Sequence, residues 1–229
     1  MKYNILFYIL VLTVFCACSK DNSINLKEVD DVCTMMDDLV FMKYCYDNFD
    51  VNNDGKVSMS EAEAVRSISV DGKGIHSLKG IEYFTQLTDL RCGYNELSSL
   101  DVRNNTALTY LFCPNNQITT LDVRNNTVLK GLSCSYNQLS ALDVRNNTAL
   151  KGFYCDHNTI TTLDISKNTA LGELTCNRNQ LSTLDVSNNT ALKYLHCEDN
   201  PNLTELWMKT GQSIPTLWYD SFVTTIYYK

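Results

Sequence analysis

The chain has few of the residues on which most catalytic and nucleic-acid-binding proteins depend. Only three of its 229 residues are histidine, His76, His157 and His196. This leaves little material for a His-rich metal centre or a set of acid/base catalysts. Its 19 basic side chains are outnumbered by 26 acidic ones, for a net charge of -7. Without a basic footprint we expect no nucleic-acid partner, and we expect no enzyme.

The chain also lacks an apolar run long enough to span a membrane as a helix. The apolar segment from Ile5 to Phe15 is about eleven residues long and follows the short basic start Met1-Lys2-Tyr3, which is typical of a signal peptide. The next residues, Phe15-Cys16-Ala17-Cys18, resemble the lipobox of bacterial lipoproteins, in which a cysteine after a small residue is lipidated. The resemblance implies a signal peptide over 1-17, lipidation at Cys18 and a linker over 18-25.

The membrane contact predicted here is therefore the lipid anchor alone. The tag Ser19-Lys20-Asp21 is similar to short charged signals that send some lipoproteins to the outer face of the Gram-negative outer membrane. This resemblance implies an outer-membrane lipoprotein exposed at the cell surface. An ordinary secretory peptide with incidental cysteines is the alternative.

Cysteine, in contrast, is abundant and regularly spaced. Six of the ten cysteines are 21 residues apart, namely Cys92, Cys113, Cys134, Cys155, Cys176 and Cys197. A fixed period of this length indicates a solenoid. The unit from Leu108 to Val128 recurs from about 87 to 206, and its apolar residues spaced three and two apart before an Asn resemble the leucine-rich repeat of internalin-like and other bacterial surface proteins.

Each unit holds two short stretches of alternating burial, such as Leu111-Phe112-Cys113 and Leu121-Asp122-Val123, and each stretch is followed by a turn at Asn. We predict a mainly β, nearly helix-free solenoid with parallel strand ladders on both broad faces, and the resemblance implies a right-handed leucine-rich repeat coil. The repeats proper occupy 87-206. A degenerate first repeat over 68-86 precedes them, and a strand-forming C-terminal cap over 207-229 follows them.

The repeated positions form columns with separate predicted roles. Apolar columns such as that of Leu111 form the core, and the Asn column of Asn116 satisfies backbone groups at the bends. The cysteines point inward where the family has leucine, so we expect buried thiols rather than disulfides or a metal site. Cys33 and Cys45 lie outside the array, and the sequence leaves open whether they pair.

A helical cap over 26-67 contains a candidate calcium loop. From Asp50 to Glu61 the sequence matches the EF-hand loop, including Gly55 at the sharp turn, and apolar residues recur at helical spacing before it. The predicted calcium ligands are Asp50, Asn52, Asp54, Lys56 through its carbonyl, Ser58 and Glu61. A lone loop predicts weak, structural calcium binding, with a second helix from Glu61 to Arg66; a polar turn of coincidental spacing is the alternative.

The outward positions of the first strand vary while the core does not, which favours recognition of a protein or glycan partner. The predicted ligand-binding residues are Tyr110, Phe112, Tyr154, Tyr194 and His196, flanked by Tyr94, Tyr136 and His157 at the adjoining turn. Strand propensity alone is the alternative explanation of these aromatic residues.

The outward row of the second strand contains Asp101, Asp122, Asp143, Asp164 and Asp185, with arginine two residues after the first three. Carboxylates one coil apart, roughly 5 Å, approach the spacing of a retaining glycosidase pair. The row is uniform, however, and catalysis needs two carboxyls in different environments. We therefore predict a monomeric, lipid-anchored surface binding protein. A purely structural surface protein is the first alternative and a carbohydrate-active enzyme the second.

Overall fold

The computed structural model describes residues 30-221 and 225-229. The predicted signal peptide (1-17), the lipidation site Cys18 and the linker (18-25) lie outside the described residues. None of the helices in the described part is long and apolar enough to cross a membrane.

The described chain is a solenoid of short strands behind a small helical segment, as the repeat predicts. The helices are α1, Leu39–Phe49, and α2, Met59–Ala64, with 3-10 turns at Val32–Met35 and Ile81–Tyr83. The strands are β1 (Ser67–Ser69), β2 (Asp89–Arg91), β3 (Tyr110–Phe112), β4 (Gly131–Ser133), β5 (Gly152–Tyr154), β6 (Glu173–Thr175), β7 (Thr183–Asp185), β8 (Tyr194–His196), β9 (Glu205–Met208), β10 (Thr216–Trp218) and β11 (Thr225–Tyr228).

One broad face carries a continuous parallel sheet. Its eight strands have the order β1-β2-β3-β4-β5-β6-β8-β10. Equivalent residues of successive coils are in register, as in the pair Leu111 and Leu132. Every column that the period of 21 residues predicts for the first strand of the repeat is therefore a physical row across this sheet.

The second face differs from the prediction of a full ladder. It has a three-stranded sheet, β11-β9-β7, over the last coils and one isolated bridge between Leu100 and Leu121. Turn bonds follow the second stretch of the repeat in the earlier coils, and equivalent bonds to Asp185 and Val186 follow it in the coil of β7, so they do not account for the difference. Asp122 Oδ1 accepts from the Arg124 N-H, and Val123 O accepts from the Asn126 N-H. Strands β7 and β9 pair in the last coils, where Trp207 lies opposite Asp185. The coil of β9 therefore has tryptophan at the position that aspartate occupies in the repeats.

The core consists of the predicted columns. Leu111, Cys113 and Val123 are all fully buried, as are their equivalents in most other coils. In the column of Leu121 and its equivalents, Leu163 is only partly buried. The apolar columns persist through the repeats, and their side chains pack between the two faces.

Two asparagine columns bond the bends in different ways. Asn116 accepts from the Leu97 N-H at 3.0 Å and donates to the carbonyls of Cys92 and Cys113. At the opposite bend, Asn126 donates to the carbonyls of Val102 and Asn105. The Oδ1 atoms of this second column have no hydrogen-bond partner among the described residues. The two columns are therefore not equivalent, although the sequence predicts the same role for both.

The helical segment covers the N-terminal end of the core. Phe41 and Cys45 of α1 are fully buried, whereas Leu39, which the helical spacing places on the apolar face, is 76% exposed. Helix α2 begins at Met59, not at the predicted Glu61, because the Ser58 side chain caps it and forms a reciprocal capping box with Glu61. Cys33 and Cys45 are both buried and free.

Candidate functional site

The outward face of the eight-stranded sheet carries all five predicted ligand-binding residues. Tyr110 and Phe112 on β3 have stacked rings with centroids 6.1 Å apart, and the guanidinium of Arg91 lies 5.2 Å from the Phe112 ring. Both rings lie beside Gly131 of the next strand, where an added Cβ would meet Tyr110 Cδ1 at 2.9 Å. The glycine therefore makes room for an aromatic ring on the sheet surface.

A second glycine continues this arrangement on the neighbouring strand. Gly152 pairs with Gly131 across the ladder, and a Cβ there would be 3.1 Å from the Tyr154 hydroxyl. The Tyr154 hydroxyl donates to Glu173. Burial, followed by this contact with the Glu173 carboxylate, raises the pKa of Tyr154 to about 12. We call the surface formed by Tyr110, Phe112, Gly131, Gly152 and Tyr154 the aromatic trough.

The other predicted residues, Tyr194 and His196, lie two strands beyond the trough on β8. Both are half-buried. The His196 ring is 5.3 Å from the Trp218 ring on β10, and its Nε2 is 2.8 Å from Glu198 Oε2. The structure thus divides the five residues into a trough group and a β8 group.

Sequence reasoning missed two features of this face. The first is Trp218, which is 51% exposed and lies outside the 21-residue array. The second is the role of Gly131 and Gly152. Glycine inside a strand signals a close approach of another group, and that signal was present in the sequence.

The predicted calcium loop holds its acidic side chains near its own backbone. Asp50 accepts from the N-H groups of Asp54 and Gly55, and Asp54 Oδ1 accepts from the Lys56 N-H. Glu61 Oε1 accepts from the Val51 N-H across the loop at 2.9 Å. These carboxylates supply the hard oxygens that calcium prefers.

Two more of the predicted ligands, Asn52 and Ser58, are part of the same network. Asn52 Oδ1 accepts from the Asp54 N-H, and Ser58 Oγ donates to Glu61 Oε2 at 2.8 Å. Hydrogen bonds from Ser58, first from its backbone and then from its side chain, hold the pKa of Glu61 below its ordinary value. Within residues 30-221 and 225-229, no group of three or more His, Cys, Asp or Glu side chains has an arrangement suited to a metal ion. The donor types fit calcium, while the present conformation directs them to backbone N-H groups.

The first three aspartates of the second-face row are each paired with the arginine two residues on, whereas Asp164 accepts from the Ser166 N-H and Asp185 accepts from Ser187 and Lys229. Arg124 donates to both carboxylate oxygens of Asp122, and Arg145 does the same for Asp143. These arginine contacts lower the pKa of Asp122 and of Asp143 to about 2. A glycosidase acid needs a raised pKa, and the shifts of these two carboxyls have the opposite direction.

Comparison with solved structures identifies the fold. The functional domain of InlJ from Listeria monocytogenes, which includes a cysteine ladder, matches with a TM-score of 0.62 and 30% identity over 70% of this chain. An internalin (InlF) of the same organism matches with a TM-score of 0.64 and 20% identity over 86% of the chain. Internalin C2 matches with a TM-score of 0.66 and 19% identity over 86%.

These matches confirm the leucine-rich repeat solenoid of internalin type. The chain spans 40% of the InlJ chain, 56% of the InlF chain and 96% of the internalin C2 chain. No protein-family profile and no curated protein matches the sequence. A solenoid of this type is consistent with a role in protein binding.

Proposed function

We propose that the protein is a monomeric, non-catalytic binding protein that holds a protein partner against the aromatic trough. The observation that carries the proposal is the pair Gly131 and Gly152, which leaves space for the rings of Tyr110 and Tyr154 on the outer face. Glycine weakens a strand, so stability does not explain two adjacent glycines in the sheet. Exposed aromatic rings with restricted freedom are the side chains that contribute most to protein interfaces.

The glycine pair supplies the test. Gly131→Ala places a methyl group 2.9 Å from the Tyr110 ring and displaces it, while the backbone at this position suits an L-residue. Partners are to be found by screening the purified protein on protein and glycan arrays and confirmed by calorimetry. We expect Gly131→Ala to weaken the affinity for a confirmed partner about tenfold, which corresponds to the loss of one well-placed aromatic contact.

Gly172→Ala is the matched control. It makes the same chemical change, but its nearest non-neighbouring heavy atom is a backbone oxygen at 3.6 Å and no ring lies beside it. Its affinity should equal that of the wild type. The absence of any partner would favour the purely structural alternative. A partner that both variants bind equally well would show that binding does not use the aromatic trough. If a glycan binds the wild type and not Gly131→Ala, the trough remains the binding site but the partner is a glycan and not a protein.

The proposal includes a structural calcium site in the loop from Asp50 to Glu61. Glu61→Gln removes a charged oxygen that a calcium ion needs, so we expect the variant to lose the rise in melting temperature that calcium gives the wild type. That rise should be a few degrees for a weak site in millimolar calcium. Calorimetric titration and thermal melting with calcium or a chelator measure it.

The capping box requires a separate control, because Glu61 also bonds to Ser58. Ser58→Ala removes the side-chain cap of α2 but leaves the Glu61 carboxylate in place. It should lower stability by about 1 kcal/mol in the absence of calcium, and because Ser58 is itself a predicted ligand it should weaken the calcium response without abolishing it as Glu61→Gln does. Equal melting curves of the wild type with calcium and with chelator, and no heat on titration, would reduce the loop to a polar turn.

The proposal also places the protein at the cell surface, attached through a lipid on Cys18. In cells, Cys18→Ala should leave the protein without an acyl chain and outside the membrane fraction. Metabolic labelling with a fatty acid and fractionation test this, with Cys16→Ala as the control that keeps its label. A label that persists in Cys18→Ala would rule out this anchor.

A further inference from the structure

A row of bulky residues occupies a backbone conformation that disfavours them. The residue before each asparagine of the first bend has φ near 54°, in the left-handed region. The row contains Tyr94, Asn115, Tyr136, His157, Arg178 and Asp199. Asn and Asp tolerate this region, whereas Tyr, His and Arg cost of order 1 kcal/mol each there. Asn115 and Asp199 are residue types that the turn accepts without this cost. Backbone strain of this kind often marks a functional site.

Three strained residues of the row lie at one groove. The groove has a volume of about 430 Å³ and lies where the turns meet the outward face of β6 and β8. The His157 and Tyr136 rings stack with centroids 3.7 Å apart, and His157 Nε2 lies 2.9 Å from an Arg178 nitrogen. Tyr94 belongs to the same row but does not line the groove, so it serves as an internal reference.

A charged carboxylate lies at the base of this groove. Asp156 Oδ1 accepts from Ser135 Oγ at 2.5 Å and from Thr175 Oγ1 at 2.9 Å, and its Oδ2 is 2.9 Å from His157 Nδ1. Burial raises the pKa of Asp156, but the hydrogen bonds from Ser135, His157 and Thr175 outweigh burial and leave this pKa below its ordinary value. Asp156 is therefore ionised at neutral pH.

The groove carries an excess of negative charge. Its lining includes the three carboxylates Asp156, Glu198 and Asp199 but a single cationic side chain, Arg178. Arg178 Nε donates to Asp199 at 3.0 Å, which leaves Asp156 and Glu198 without a cationic partner when the histidines are neutral. The net negative charge of this lining favours the binding of a cation from outside the chain.

Aromatic rings border the groove. Tyr136 lines it and is 48% exposed, whereas Trp218, which is 51% exposed, lies outside the lining and contacts the lining residue His196. A cation gains from carboxylates and from ring faces together, and the guanidinium or ammonium of a basic side chain satisfies both. The observations thus favour a basic group over a neutral sugar or an anion.

We propose that this acidic groove binds a lysine or arginine side chain of the protein partner, next to the aromatic trough. This inference rests on the proposed function, because the groove opens on the same face as the trough. It names the chemistry of the partner, a protein segment with an exposed basic residue.

The test measures binding of a fluorescent peptide of alternating lysine and glycine to the purified full-length protein, with a glutamate and glycine peptide as the probe of opposite charge. We expect the lysine peptide to bind and the glutamate peptide not to bind. Glu198→Gln and His157→Asn should each weaken binding about tenfold, the effect of one cation–π or charge contact in a partly desolvated site. Asparagine suits the left-handed turn, so the relief of strain in His157→Asn should offset the lost contacts with Tyr136 and Asp156 and leave the melting temperature nearly unchanged.

Tyr94→Asn is the matched control for His157→Asn. It relieves the same backbone strain at the same position of the repeat, outside the groove, and should keep the affinity within twofold. Absence of lysine-peptide binding, equal loss in Tyr94→Asn, or unchanged binding in Glu198→Gln would overturn the inference. So would binding of a neutral oligosaccharide in the groove without binding of the lysine peptide.

Gly131→Ala separates this failure from failure of the proposed function. The variant should keep the lysine peptide, because Gly131 does not line the groove. A partner that Gly131→Ala loses and Glu198→Gln retains would leave the trough proposal standing and remove the groove. Lysine-peptide binding without any confirmed partner would leave the groove proposal standing and remove the trough proposal.

Discussion

Asn158→Ala should lower the free energy of unfolding by about 3-4 kcal/mol, since it removes the central hydrogen-bonding group of a buried bend. Asn158 donates to the carbonyls of Cys134, Cys155 and Asp156 and accepts from the Leu139 N-H. Alanine leaves the Leu139 N-H without its partner and removes one of the hydrogen bonds that each carbonyl accepts, the other donors being Asn137, Asn179 and the Tyr136 N-H. The two coils that the side chain joins lose their bond at the bend, so the effect reaches beyond one repeat.

Two asparagines of the preceding repeat calibrate this loss in urea unfolding. Asn147, in the opposite column, donates to the carbonyls of Val123 and Asn126, but its Oδ1 has no partner among the described residues. Asn147→Ala should therefore cost less, about 1-2 kcal/mol. Asn146 is exposed and makes one bond to Arg124 O at 3.2 Å, and its alanine variant should change stability by less than about 0.5 kcal/mol. Equal losses for Asn158→Ala and Asn146→Ala would show that the column does not hold the bends.

The order of these three effects shows how far a periodic sequence determines a structure. The repeat places Asn147 and Asn158 at two bends and predicts that both are structural. It does not show that one amide has four backbone partners and the other has two. That difference depends on the path of the preceding coil, which the residue types at one position do not reveal.

The binding face shows the same limit. Its outward residues, including Tyr110 and Tyr154, follow from the strand period of two, and the structure places them as predicted. The groove of Asp156, His157 and Glu198 could not be predicted, because its members come from different coils and lie partly in turns. A signal was nevertheless present in the sequence, since Asn115 and Asp199 mark the row as a left-handed turn position.

The cysteine column yields the second large effect, a difference in reactivity between the folded and unfolded protein. All six column cysteines are buried and free. Burial raises the pKa of Cys113 to about 12, and burial is also the main cause of the rise to about 12 at Cys197. A rise of this size lowers the thiolate fraction at pH 8 by roughly three orders of magnitude, and the thiolate is the reactive form. Native labelling by a maleimide should be at least about 10³ times slower than labelling in urea.

The matched control is a cysteine placed on the surface of the same repeat. Thr119 is exposed, so Thr119→Cys should react at the rate of a free thiol while the column stays protected. In urea without reductant, all six column thiols should become available. Rapid native labelling of the column would mean that it is open to solvent, and thiols that appear only after reduction would mean that it is bridged.

The cap cysteines must be separated from the column in this count. Cys33 and Cys45 are buried and free, and the side-chain hydrogen bond of Cys45 to Cys33, followed by burial, raises the pKa of Cys45. Because these two thiols are in contact, oxidation can join them in a disulfide and remove them from the count of thiols while the column stays reduced. A Cys33→Ala, Cys45→Ala double variant shows whether this pair is the cause of missing thiols. If a bridge between Cys33 and Cys45 removes two thiols from the count for the wild type in urea, the double variant should give the same count of thiols before and after reduction. A deficit that persists in the double variant would place the bridge in the column, and the buried-thiol core would then be wrong.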